Sequence, residues 1–200
     1  MLGKSFSKLW LKYNIMCGIL AISGENLDIK KYDTATMLDS LKKRGPDGVG
    51  EKLFEDCYLG HRRLSIIDIE NGYQPMASGK LIITFNGEIY NYKELKKELE
   101  SFGYRFDTNS DTEVILKSYE RWGNDCIQKL DGMFAFAIWN QEKRELFFAR
   151  DRFGKKPLFY CLDSGILILA SEIKSILASG NLKPEIDFNM VDHYLCRMYV

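Results

Sequence analysis

The stretch FAFAIWNQEKRELFFAR (134–150) decides the fold class. Two strongly apolar runs, 134–140 and 145–150, flank four polar residues from Gln141 to Arg144. That pattern predicts a β-hairpin. Further strands are expected around it at 157–162 and 166–170, with a short helix over Glu172–Ala178. Upstream, CGILAIS (17–23) reads as a strand ending at Gly24, and Cys57–Asp68 as two short strands around Gly60-His61-Arg62. Lys80–Asn86 reads as a strand that stops in a turn at Gly87. Helical spacing places Ala35, Leu38 and Leu41 on one face of a helix over Tyr32–Arg44. Asn91-x-x-Glu94 and Ser110-x-x-Glu113 read as capping boxes that open two more helices. Strands joined by tight turns, with helices grouped between them, predict antiparallel sheets covered by helices. No βαβ repetition, glycine-rich phosphate loop or internal repeat is present.

The composition narrows the function classes. The chain has 200 residues, 46% of them apolar, enough for a sizeable core. Its 28 basic and 28 acidic side chains cancel, which gives no electrostatic case for a nucleic-acid partner. No apolar run reaches the roughly 18 residues of a membrane span. Five cysteines, at 17, 57, 126, 161 and 196, lack C-x-x-C spacing. A disulfide framework or metal site is not expected, and a reducing, cytoplasmic setting is.

Cys17 draws attention through its neighbours. In Met16-Cys17-Gly18-Ile19, a start at Met16 and removal of that methionine would make the cysteine residue one. A terminal cysteine carries its own base, because an α-amine has a pKa of about 7.7–8.0. Nucleophile and base then need no histidine. The preceding run, with Lys4, Lys8 and Lys12 and no acid, reads as a targeting segment or as an extension upstream of the true start; the latter is the expectation. Other segments offer matching chemistry. Arg62 and Arg63 supply forks suited to a carboxylate, or else a surface pair at a strand start. Asn86-Gly87 sets a side-chain amide beside an unobstructed N–H, an oxyanion hole or an ordinary turn. Asp111 either serves a helix end or holds a ligand ammonium. Gly45-Pro46-Asp47-Gly48 is a turn, with Arg44 available to brace a site. His61 permits a different cysteine-hydrolase scheme, or simply fills a strand position.

Taken in order, MCGI, RGPDG, RLSIID, NGEIYN, SDTEV, GMFAFAIW, RDRFGKKPLFY and ASEIK resemble the class II glutamine amidotransferase domain, and within it that of the asparagine synthetases. The resemblance covers about 17–185, leaving 1–16 as the extension and 186–200 as the truncated start of a synthetase domain. One departure is Lys43, where the family commonly has histidine.

The resemblance implies an α+β N-terminal-nucleophile fold, a four-layer αββα sandwich of two antiparallel sheets between helices. It implies glutaminase chemistry with Cys17 as nucleophile, its amine as proton relay, and Asn86 with the Gly87 N–H holding the oxyanion. Arg63 would bind the glutamine α-carboxylate, Asp111 its α-ammonium, and Glu88 its polar end, with Leu64, Ser65, Ile66 and Ile67 lining the pocket. The partners implied are L-glutamine and a synthetase domain in cis or trans, with a homodimer left open. No cofactor is expected in this chain; ATP and Mg2+ belong to the synthetase domain. The rival reading is a catalytically silent module that binds glutamine or a partner, with the extension retained before Cys17.

Overall fold

A computed structural model describes residues 16–65, 72–180, 182 and 184–198. It contains two wholly antiparallel sheets. The first has the order β2-β3-β1-β9-β8, built from β1 (Gly18–Ser23), β2 (Gly48–Leu53), β3 (Cys57–Arg63), β8 (Phe159–Asp163) and β9 (Ile166–Ala170). The second has the order β4-β5-β6-β7, from β4 (Met76–Ser78), β5 (Leu81–Ile89), β6 (Gly132–Asn140) and β7 (Glu145–Arg150). Helices are α1 (Thr34–Ser40), α2 (Tyr92–Ser101), α3 (Asp111–Trp122), α4 (Ile173–Leu177) and α5 (Phe188–Arg197).

Side-chain alternation sorts these elements into layers. On β1, Ala21 joins Leu59, Ile82, Ala137, Trp139 and Leu169 in a core between the sheets. Its neighbours Leu20 and Ile22 point the other way, onto Met37 and Leu38 of α1 and Ile176 of α4. On the second sheet, Ile83, Phe85, Phe136 and Ile138 turn outward onto Leu95 and Leu99 of α2 and Val114–Leu116 of α3. The result is the expected α+β sandwich with layers helix, sheet, sheet, helix.

The hairpin from which the reading started is present as β6 and β7, in register from Ala135↔Arg150 to Asn140↔Glu145. The Asn140 side chain accepts from the N–H groups of Glu142 and Lys143, and Arg144 takes a positive φ of 55° to close the turn. Helix α5, by contrast, buries no residue.

Five local expectations are corrected. The region Cys57–Arg63 is one continuous strand, because β1 and β2 pair with it on both sides without interruption. Asn86-Gly87 is not a turn: β5 runs through it to Ile89, paired with β6 from Leu81↔Asn140 to Ile89↔Gly132. Asn91 makes no capping bond to its helix, since its amide bridges the Lys129 carbonyl and the Asp131 N–H instead. Ser110 does cap α3 through the Thr112 N–H, but Glu113 turns back to the N–H groups of Asp107 and Thr108, so the box is not reciprocal. The helix at Tyr32–Arg44 is shorter than expected. It starts at Asp33, whose carboxylate caps Thr36, and gives way to turns after Ser40.

Candidate active site

Cys17 stands immediately before β1, and the end of β3 lies beside it through the pairing Gly18↔Arg62. The residues that leave β3 therefore pass the thiol. Sγ accepts from the Leu64 N–H at 3.3 Å and lies 3.5 Å from the Leu64 carbonyl, to which the thiol can donate. The next residue, Ser65, is fixed by its N–H on the Asp47 carboxylate at 2.8 Å. Asp47 belongs to the RGPDG turn, and its own N–H returns to the Arg63 carbonyl at 2.9 Å. Gly45 is required there: a Cβ would lie 2.2 Å from the Arg62 carbonyl. The turn thus clamps the chain that lines the thiol.

Three cations surround Cys17. The Arg44 Nε donates to the Cys17 carbonyl at 3.0 Å, while the same guanidinium pairs with Glu172 at 3.4 Å. Arg63 is buried, with its guanidinium 4.9 Å from the centre of the Tyr73 ring. Lys156 is also buried, and its Nζ donates to Met16 Sδ at 2.6 Å. Burial pushes the Cys17 thiol above its ordinary pKa; the Leu64 N–H, Arg63, Arg44 and Lys156 all pull it back down.

Strand β5 brings the second set of groups. Asn86 is almost fully buried, and its amide nitrogen has no protein partner. A buried donor without an acceptor is costly and suits a site awaiting a ligand oxygen. Gly87 admits β6 at close range, because a Cβ there would meet Met133 O at 2.2 Å. Lys156 is within electrostatic reach of both Glu88 and Cys17, which puts this end of β5 at the same centre. Asp111, at the first turn of α3, accepts from the Ile89 N–H at 3.1 Å. Burial raises its pKa to about 6, with Glu88 adding to the rise against the N–H groups that oppose it. A cationic ligand group would relieve that desolvated carboxylate.

Of the expected site residues, Cys17 and Leu64 are in direct contact, Arg63 adds its charge to the thiol, and Glu88 is linked to both the Lys156 and Asp111 charges. Ser65 contributes its backbone to the lining loop. Ile66 and Ile67 lie outside the described residues. Arg44 and Lys156 are the residues for which the sequence offered no firm role. Arg44 was legible only as a possible brace; Lys156 sits inside RDRFGKKPLFY, a motif with no chemistry of its own in the sequence.

His61 does not reach for the thiol. Thr84 Oγ1 donates to the Gly60 carbonyl, so its lone pair receives His61 Nδ1–H at 3.1 Å. Burial, then the Arg63 charge, drives the imidazole pKa down to about 3, leaving a neutral ring that ties the two sheets together. Among the described residues no group of three His, Cys, Asp or Glu side chains could hold a metal, and no helix is long and apolar enough to cross a membrane. A polar cavity of about 670 Å³ opens at the far end of β5, between Lys80, Lys117, Glu120 and Lys143; none of the expected site residues borders it.

Comparison with known proteins shows the family. A family model described as "Glutamine amidotransferase domain" matches residues 16–200. The chain is 43% identical over 178 residues to asparagine synthetase [glutamine-hydrolyzing] 3 of Bacillus subtilis, covering 86% of this chain and 29% of that protein. It is 41% identical over 167 residues to asparagine synthetase [glutamine-hydrolyzing] 3 of Arabidopsis thaliana, covering 80% of this chain and 28% of the relative. The glutamine phosphoribosylpyrophosphate amidotransferase of B. subtilis, solved with ADP and GMP, superposes with a TM-score of 0.68 at 26% identity, over 82% of this chain and 44% of that one. The chain thus spans less than a third of the length of the two synthetases. With a cysteine at the head of β1, an unpartnered amide on β5 and a family match over every described residue, the chain belongs to the glutamine amidotransferase domain family.

Proposed function

We propose that this chain is the glutaminase domain of a glutamine-hydrolysing asparagine synthetase. The observation that carries the reading is Cys17 Sγ held at the Leu64 N–H, in a ring of three cations, beside a strand whose Asn86 amide is buried and unpartnered. The chemistry needs a free Cys17 α-amine, so residues 1–16 are absent from the active form.

Glutamine binds with its α-carboxylate on Arg63 and its α-ammonium on Asp111. Glu88 contacts its polar end, and Leu64 to Ile67 line the pocket. The Cys17 thiol proton passes to the α-amine as sulfur attacks the carboxamide carbon. The oxygen becomes an oxyanion held by the Asn86 amide and the Gly87 N–H. The C–N bond then breaks, the amine returns the proton to nitrogen, and ammonia leaves a thioester on Cys17. Water activated by the same amine attacks the thioester, releasing glutamate and restoring the thiol. Ammonia passes to a synthetase domain, in cis or trans, which uses ATP and Mg2+ to convert aspartate to asparagine. A cytoplasmic setting suits the free thiols.

The second reading has an observation of its own. Met16 is bonded to the Cys17 nitrogen and its sulfur occupies the Lys156 ammonium. A chain that keeps Met16 has an amide in place of the base and would bind glutamine without hydrolysing it. Intact mass decides between the two states: a chain beginning at Cys17 that releases glutamate supports the glutaminase, whereas a native chain that retains Met16 supports the silent module.

A further inference from the structure

The loop of RDRFGKKPLFY takes no part in the scheme above, yet it is built to hold one cation in place. The Asp151 carboxylate accepts from the N–H groups of Lys156 at 2.9 Å, Lys155 at 2.9 Å and Phe153 at 3.2 Å, and from Phe134 of β6 at 3.2 Å. The Arg150 guanidinium donates to the Lys156 carbonyl and the Gly154 carbonyl, each at 2.6 Å. Gly154 has a φ of +60°, and a Cβ there would meet Arg150 Cζ at 2.8 Å. Both backbone polar groups of Lys156 are therefore fixed. Its side chain is buried, and among the described residues no carboxylate pairs with it. Its hydrogen bond goes to the side chain of Met16, the residue bonded to the Cys17 nitrogen.

Burying an ammonium with no carboxylate paired directly to it is unfavourable and asks for a reason. The cation lies within a methionine side chain's reach of the atom that must act as base. A positive charge beside an amine disfavours its protonation, and beside a thiol it favours the thiolate. We propose that Lys156 is a positioning residue for the glutaminase: its ammonium keeps the Cys17 α-amine neutral and the thiol acidic near neutral pH. This rests on the reading of Cys17 as an amine-terminated nucleophile.

Arg63 and Arg44 pull the thiol down more than Lys156 does, but each has a second commitment. Arg44 reaches the Cys17 carbonyl but is paired with Glu172. Arg63 stands on Tyr73 and is committed to the substrate carboxylate in the scheme above. Glu88 and Asp151 act in the opposite sense, by holding Lys156 protonated, and Asp151 is already occupied by four N–H groups. Asp111 bonds the Ile89 N–H on the far side of Glu88 in the chain.

The test uses protein whose amino terminus is confirmed as Cys17 by intact mass, as wild type, Lys156→Met and Lys156→Arg. Two curves are measured against pH: kcat/KM for glutamine, and the rate of Cys17 carboxamidomethylation followed by peptide mass. Lys156→Met should move the acid limb of kcat/KM and the alkylation curve up by about one pH unit, a loss of about tenfold near neutral pH that is recovered in alkali. Lys156→Arg should restore both curves. Lys156→Gln carries the same expectation if the methionine variant does not fold. Unshifted curves in Lys156→Met would overturn the proposal, as would an activity loss that is uniform across pH and not rescued by arginine. A wild-type protein that starts at Cys17 and releases no glutamate sinks the glutaminase reading instead; the alkylation curves still judge Lys156.

Discussion

The two ends of β1 set two cysteines, one half-buried and one buried, in opposite surroundings. At its start, Cys17 meets the Leu64 N–H and the charges of Arg63, Arg44 and Lys156. At its far end, Ser23 pairs with Cys57, which is fully buried in the core between the sheets. Burial pushes both thiols up. For Cys57 the Ser23 side chain offers slight relief, and the nearest charge, Asp56, pushes the same way as burial. The contrast teaches that burial alone makes an inert thiol, and that a nucleophile needs cations converging from separate elements. Here they come from the turn after α1, the end of β3 and the loop after β7.

The contrast is broken most severely by removing one thiol or the other. Cys17→Ala should lower glutamate release by about a thousandfold or more, because no other group can form the thioester. Cys57→Ala should leave kcat within about twofold and cost about 1 kcal/mol in denaturant unfolding, the loss of one buried sulfur from a packed core. Equal losses of activity from both substitutions would erase the distinction.

Gly87→Ala tests the partner strand. The new Cβ would collide with the Met133 carbonyl, so β5 and β6 must separate where the proposed oxyanion donor sits. A stability loss of about 2–3 kcal/mol is expected by urea titration, along with lost glutaminase activity. A melting curve unchanged from wild type would contradict the strand register.

This position also shows what the sequence could and could not convey. The apolar runs of β1, β6, β7 and β9 were plain, since short apolar runs and turn chemistry are local. Asn86-Gly87 looked like a turn because the reason for its glycine, the passing Met133 carbonyl, lies 46 residues away. Strands β2 and β4 escaped notice for the same kind of reason: GVGEKL and MAS carry little apolar pattern and form by pairing along β3 and β5. The site divides similarly. Cys17, Asn86 and Asp111 were legible as candidates, each beside a bland alternative, and the resemblance implied their roles. Lys156 was not, because the role proposed for it rests on an Asp151 cage and a neighbour 140 positions distant.

A smaller effect is expected at Asp111. With its pKa at about 6, the carboxyl is ionised above that pH and neutral below it, and only the ionised form pairs with an ammonium. In a Cys17→Ala protein, where no turnover interferes, the Kd for glutamine should rise several-fold as pH falls from 7 to 5. Asp111→Asn should bind weakly and show no such dependence. The same raised pKa makes the folded state lose stability as pH rises from about 4 through about 6, so Asp111→Asn should flatten that part of the urea midpoint profile. The least change is expected from Asp56→Asn: Cys57 should stay slow to alkylate, within about threefold, because burial rather than the Asp56 charge dominates its pKa.

The central claim is that Cys17 is an amine-terminated nucleophile. It is tested most directly by assaying glutamate release from glutamine in protein shown by intact mass to begin at Cys17, beside the same protein retaining Met16. The account predicts glutamate release from the first sample and none above background from the second. Equal rates from the two would contradict it, since an amide nitrogen in place of the amine leaves no base at Cys17.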